Sequence, residues 1–225
     1  MLFFSCLLAQ YIPHVALGGG YEIHVFLTNK LDSPFVGGLS LHQGNRQGWA
    51  GQINVDGQPG DPGWIAVNLS AKGTVRVRIQ GDTALRSGYL IVWGTGENSG
   101  TDVAVSCFYN YLVAGKLIDS TGVPVSWANR GHHFAVEKSP AVNTGFAWSS
   151  LSPNDPFEIT LELYDSTGVK VQTKTRTFAG HLALFFTEIF DNVADGFVGH
   201  VRITSPTAVG MTVLRLENVS GGFQL

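Results

Sequence analysis

Few side chains in this chain stand at spacings that chemistry requires. His132 and His133 are the densest pair of titratable rings. On a strand, adjacent side chains point to opposite faces, so one zinc ion cannot readily draw on both. No Gly-x-Ser-x-Gly elbow, His-Glu-x-x-His helix or Walker loop occurs, which removes the sequence signals of a serine hydrolase, a zinc peptidase and an NTPase. The run Gly94-Thr95-Gly96-Glu97-Asn98-Ser99-Gly100 has the wrong spacing for a phosphate cradle and no helix after it, so it reads as a hairpin loop. Glycoside hydrolysis needs two facing carboxylates, and the spacing supplies none. The reading is not enzymatic, with no cofactor required.

Oxygen ligands suit calcium better than zinc. Asn54, Asp56 and Asp61 could converge in one loop, and Asp191, Asn192 and Asp195 in another, although neither set matches an EF-hand. The alternative is solvated turn carboxylates. Sugar binding would use exposed rings beside hydrogen-bonding side chains. Trp49, between Gly48 and Ala50-Gly51, is the tryptophan expected to be most exposed, whereas Trp64 and Trp148 are expected in packing. Trp49, Trp93, Asp56 and Asp61 are therefore the candidate ligand-binding residues.

The two cysteines are Cys6 and Cys107. Alternation places Cys107 on one strand face with Val103 and Val105, the position of a small buried thiol. Residues 1–10 read as a signal remnant or an apolar N-terminal strand, with Ala9 at a plausible cleavage point and no basic n-region. The apolar run is far below the ~20 residues that span a bilayer. Tyr11, Ile12 and Val15 either complete the first module's own sheet or serve as an assembly contact, a strand donated to a neighbour.

Most of these residues must be positioned by strands, because the chain repeats itself as β-structure. Ser33-Pro34-Phe35-Val36-Gly37-Gly38-Leu39-Ser40-Leu41 returns as Asp155-Pro156-Phe157-Glu158-Ile159-Thr160-Leu161-Glu162-Leu163, with Pro, Phe and both Leu in register. Thr101 to Phe108 is echoed by Thr207 to Leu214. Two copies in 225 residues predict two modules. The boundaries read as 11–114, a connector over 115–128, and 129–225. Short alternating runs bounded by Gly, Pro, Asn and Asp predict seven strands per module, and the one helix candidate is Thr187 to Asn192. Asp56 to Gly63 reads as a loop particular to the first module.

Charged residues make up only 14% of the chain, against about 25% in typical soluble domains. A net charge of −3 gives no basic footprint for nucleic acid. The Gly18-Gly19-Gly20-Tyr21 entry, Asp32-Ser33-Pro34, the connector Asp119-Ser120-Thr121-Gly122-Val123-Pro124 and Asn143-Thr144-Gly145-Phe146 together resemble tandem immunoglobulin-like β-sandwich repeats of exported bacterial proteins, a family of uncharacterised function. That resemblance implies an all-β chain of two tandem antiparallel sandwiches and a periplasmic, cell-surface or extracellular location. The expected function is a non-enzymatic structural or interaction module, with a protein partner or self-association. The alternative is a glycan- or cell-surface-binding adhesion module.

Overall fold

The computed structural model describes residues 9–43, 47–150, 156–219 and 222–224. Cys6 and most of the apolar start lie outside the described residues. The chain is all-β and divides into two compact units, residues 1–127 and 128–225. Among the described residues no helix is long and apolar enough to cross a membrane.

The first unit contains β1 (Gln10–Leu17), β2 (Tyr21–Asn29), β3 (Phe35–Gln43), β4 (Gln47–Gly48), β5 (Ile53–Val55), β6 (Gln58–Gly60), β7 (Ile65–Leu69), β8 (Thr74–Gly81), β9 (Arg86–Gly94), β10 (Val103–Val113) and β11 (Lys116–Val123). They form two antiparallel sheets. One runs β1-β9-β3-β4 with β7 also on β3, and the other runs β11-β10-β2-β8-β5-β6. Alternation decides which side chains enter the core. On β2, Ile23, Val25 and Leu27 are fully buried, and Val77 and Ile79 of β8 join them. Two side chains tie the sheets together: Gln10 Nε2 donates to the carbonyls of Gly100 (2.5 Å) and Val103 (2.6 Å), and the Tyr109 hydroxyl donates to the His14 carbonyl.

Two turns explain why this unit has more strands than its hydrophobic runs suggest. Asp56 and Gly57 have φ of 51° and 84° and join the paired residues Val55 and Gln58, the geometry of a two-residue type I′ hairpin. The loop expected at Asp56 to Gly63 is thus partly a hairpin. Ala114 (φ 50°) and Gly115 (φ 77°) do the same between Val113 and Lys116. Much of the expected connector is therefore β11, an edge strand of the first unit.

The second unit contains β12 (Asn129–Lys138), β13 (Val142–Ser150), β14 (Phe157–Asp165), β15 (Lys170–Phe178), β16 (His181–Phe185), β17 (Phe197–Val219) and β18 (Gly222–Gln224). The expected helix is a single 3₁₀ turn, Phe186–Glu188. Two strands expected around Pro206 are instead one. The first part of β17 pairs with β12 and β14, and the second part, from Val209, pairs with β13. Pro206 lies in the stretch between, which has no ladder partner, so its missing N–H costs no sheet hydrogen bond. Such a strand turns the corner from one sheet to the other. Trp148, Leu161, Leu163, Phe178, Phe186 and Val201 fill the core.

The pairing scheme of the two units is the same once the short strands β4, β5, β6 and β18 and the edge strand β11 are set aside. Sheet β7-β3-β9-β1 corresponds to β15-β14-β17-β12, and β10-β2-β8 corresponds to β17-β13-β16. The immunoglobulin order places the first strand beside the second and the last beside the sixth. Here β1 pairs with β9, and β10 pairs with β2.

Urea denaturation followed by circular dichroism tests this packing. Leu161 is fully buried, so Leu161→Ala should cost about 2–5 kcal/mol. A Cβ on Gly37 would lie 2.1 Å from the Trp93 carbonyl oxygen, so Gly37→Ala should cost about 1–3 kcal/mol through overpacking.

Candidate functional site

The outer face of the β10-β2-β8 sheet carries chemistry that its position does not require. Antiparallel register lines up three rows of outward side chains. Ser120, Asn110, Glu22, Gln80 and Asn54 form one row across β11, β10, β2, β8 and β5. Gly122, Phe108, His24 and Arg78 form the next, and Ser106, Phe26 and Arg76 the third.

Glu22 is the centre. It stands on the outward side of β2, yet it is only 3% exposed because its neighbours fold over it. Its Oε2 accepts from Arg78 Nε (2.9 Å) and Nη2 (2.6 Å) and from Gln80 Nε2 (2.9 Å). Its Oε1 accepts from His24 Nε2 (2.9 Å) and Asn110 Nδ2 (3.4 Å). Burial pushes the Glu22 pKa up. Hydrogen bonds from Arg78, His24 and Asn110, with the charge of Arg78, outweigh that and hold the carboxyl below its usual range. An ionised carboxylate only accepts, so His24 Nε2 carries the proton between them. Asn110 Oδ1 in turn accepts from Ser120 Oγ at 2.8 Å. The Asp56 turn is fastened to the same strand, with Asp56 Oδ1 accepting from the Arg78 backbone N–H at 3.0 Å.

Beside this network stands an aromatic pair. Phe108, 39% exposed, meets Phe26 edge-on at 5.8 Å. Its ring leans over Gly122, where an added Cβ would lie 3.7 Å away. Arg76 is exposed. The face thus offers a fixed polar row, an aromatic platform and a cation.

The residues singled out from sequence lie elsewhere or are engaged otherwise. Trp49 is 5% exposed, not open to solvent. Its ring fills the space over Gly88, where an added Cβ would meet it at 3.0 Å. Trp64 is the opposite case, 42% exposed and lying across Gly38. Trp93 is half-buried, and its Nε1 donates to Ser40 Oγ at 2.7 Å. Ser40 Oγ also shares a hydrogen bond with His42 Nε2, 2.8 Å away. Ser40 is 4% exposed, and its bond from Trp93 fastens β9 to β3.

Asp61 Oδ1 closes its own turn by accepting from the Gly63 N–H at 2.8 Å, and Asn54 stands at the end of the Glu22 row. In the second loop Asp191 pairs with Lys174, and Asp195 with Lys138. Among the described residues no three His, Cys, Asp or Glu side chains gather into a metal-holding group. Tyr11, Ile12 and Val15 belong to β1, paired with β9 of their own unit and at most 1% exposed. Cys107 is 2% exposed, and burial pushes its thiol up to about 12, leaving it without thiolate character at neutral pH.

Two further features stand apart from the Glu22 face. In the second unit Tyr164 stacks on His200 (4.7 Å, 1°), and His200 faces His133 (6.3 Å, 17°). His132 points to the other side and reaches the Val209 carbonyl at 2.9 Å. In the first unit a cleft of about 250 Å³ lies between β7 and β8, lined by Val55, Ile65, Val67, Val75 and Val77 with Asp56 and Asn68. Comparison of the chain with family models, with curated proteins and with solved structures gives no match.

Two groups in the first unit make stability fall with acid in separate pH windows. Desolvation lowers His14 from 6.5 to about 4. The unfolded chain therefore binds the extra proton first, and stability drops as pH falls from 6.5 to about 4. Glu22 is depressed below 4.5, so its contribution is complete above that pH and is lost as pH falls through the lowered value. Denaturation midpoints measured across pH should lose the upper window in His14→Gln and the lower one in Glu22→Gln. At neutral pH Glu22→Gln should also cost about 1–3 kcal/mol through its weakened charged hydrogen bonds.

Proposed function

We propose that the protein is a non-enzymatic, exported binding module that acts through its surfaces, with the outer face of β10, β2 and β8 as its recognition surface. Glu22 carries this reading. A buried, ionised carboxylate on the outward side of a sheet is of little use to the core, but its five hydrogen bonds hold Arg78, Gln80, His24 and Asn110 in fixed positions beside an exposed ring. A sheet face that sets a fixed polar row beside an exposed ring suits adhesion to a glycan or a cell surface better than it suits turnover of a small substrate. Export is supported by the low share of charged residues and by the resemblance to exported repeats.

Binding of labelled protein to a glycan array and to intact bacterial cells tests the reading. Phe108→Ala should weaken capture more than about tenfold, as loss of a central aromatic anchor does. Tyr164→Ala, in the second unit, should leave it unchanged. Capture equal in all three proteins would remove the Glu22 face from the function.

A second reading, self-association by strand addition, is favoured by the cleft beside β7. Among the described residues β7 pairs only with β3, and β8 pairs with β5 only over Ile79 to Gly81. Each therefore offers unpaired backbone next to an apolar lining. Light scattering over a concentration series should show oligomers that Ala66→Lys, a charge placed in the cleft, reduces to monomers. A monomer at every concentration would end this reading.

A further inference from the structure

The Glu22 face also specifies the chemistry of its occupant, an inference that rests on the function proposed above. Two guanidinium groups project from β8 on this face, and they are not equivalent. Arg78 is engaged with Glu22 through both Nε and Nη2. Arg76, two residues earlier on the same side of the strand, is exposed, and its guanidinium has no ion pair or hydrogen bond among the described residues. The Glu22 carboxylate is thus already paired, and Arg76 is left open to solvent, with the exposed Asp56 carboxylate held at the Arg78 backbone further along the strand.

Arg76 also stands beside the aromatic pair. It is the register partner of Phe26, which meets Phe108 edge-on. Arg76 and Phe108 are two strands and one row apart, about 12 Å between backbones at ordinary strand spacing and rise, a span for linked sugar rings rather than a single one. The exposed Phe108 ring offers an apolar surface for the C–H face of one ring. The Asn110 amide and the Ser120 hydroxyl stand one row away on β10 and β11 for hydroxyl groups.

A peptide in extended form fits this surface poorly. β2 and β10 are paired on both sides, so their main chains have no hydrogen bonds to share, and recognition must run through side chains. Nucleic acid is disfavoured because a single unpaired cation among the described residues of this face cannot track a phosphate backbone. We propose that the ligand is an acidic saccharide whose ring stacks on Phe108 and whose carboxylate pairs with Arg76.

Titration calorimetry on the full chain at low salt tests this, using oligogalacturonate, oligomannuronate and glucuronate-containing oligosaccharides, each against its methyl ester. At least one oligouronate should bind. Its affinity should fall about tenfold or more in Arg76→Gln, the scale of a lost charge-assisted contact, and should fall likewise as salt rises. Phe108→Ala should also weaken it, and the methyl ester should bind no better than the Arg76→Gln protein binds the acid. Both positions are exposed, so near-ultraviolet circular dichroism should show either variant folded as wild type. Absence of binding by every oligouronate overturns the inference. A methyl ester that binds as tightly as the acid, with Arg76→Gln silent and Phe108→Ala disruptive, overturns the acidic specificity and leaves the face as the binding surface. Uronate binding that neither variant changes overturns both.

Discussion

The register of β2 against its two neighbours is the constraint on which the first unit depends. Side chains alternate with a period of two, so a slip of one residue would carry Ile23, Val25 and Leu27 out of the core and put Glu22, His24 and Phe26 into it. The hydrophobic cost fixes the register, since each fully buried Ile, Val or Leu contributes roughly 1.5–3 kcal/mol. The same register then places Asn110 and Gln80 on either side of Glu22 and Arg78 beside His24. No pair of residues in the polar network needs to attract its partner during folding. The core delivers them, and short-range hydrogen bonding completes the arrangement.

The two units share one pairing scheme, but they have spent their outer faces differently. β13 occupies in the second unit the place of β2 in the first, between β16 and the second part of β17. Where β2 presents Glu22, His24 and Phe26, β13 presents Asn143, Gly145, Ala147 and Ser149, small or neutral side chains of which Ala147 and Ser149 are at most 1% exposed. The core faces carry Ile23, Val25 and Leu27 on β2 and Phe146 and Trp148 on β13. The repeat therefore conserves what the sandwich needs and frees the outer face to differ, so the Glu22 network belongs to the first unit and not to the fold.

Much of this architecture is legible in the sequence, because alternation and turn residues are local. The run Thr74-Val75-Arg76-Val77-Arg78-Ile79-Gln80 alternates strictly, and it forms the strand it predicts. The Asp56-Gly57 pair carries the type I′ signature, but Pro59 and Gly60 beside it are poor strand residues, and the hairpin reads as loop. Ala114-Gly115 lacks the Asn or Asp that usually marks such a turn, which hides β11. Trp49 and Trp64 exchange their expected exposures, and each ring rests on a glycine of another strand, Gly88 or Gly38, a neighbour that local pattern does not reveal. The Glu22 site fails to appear for the same reason. Its donors come from positions 24, 78, 80 and 110, and only tertiary register brings them together.

A stability argument does not account for Glu22. Taking a carboxylate out of water costs several kcal/mol, which its hydrogen bonds largely offset, and well-packed apolar replacements of buried ion pairs are often neutral or stabilising. On an outward face, a threonine or valine at position 22 would meet the needs of the sheet without any network. What the network does supply is immobility. Binding ordinarily costs about 0.5–1.5 kcal/mol for each flexible side chain that must be ordered, and Arg78, Gln80, His24 and Asn110 are ordered before any ligand arrives. Arg76 and Phe108 remain as the exposed groups whose contacts are still to be made. A surface that fixes its polar groups in advance and leaves one cation and one ring open is organised for recognition.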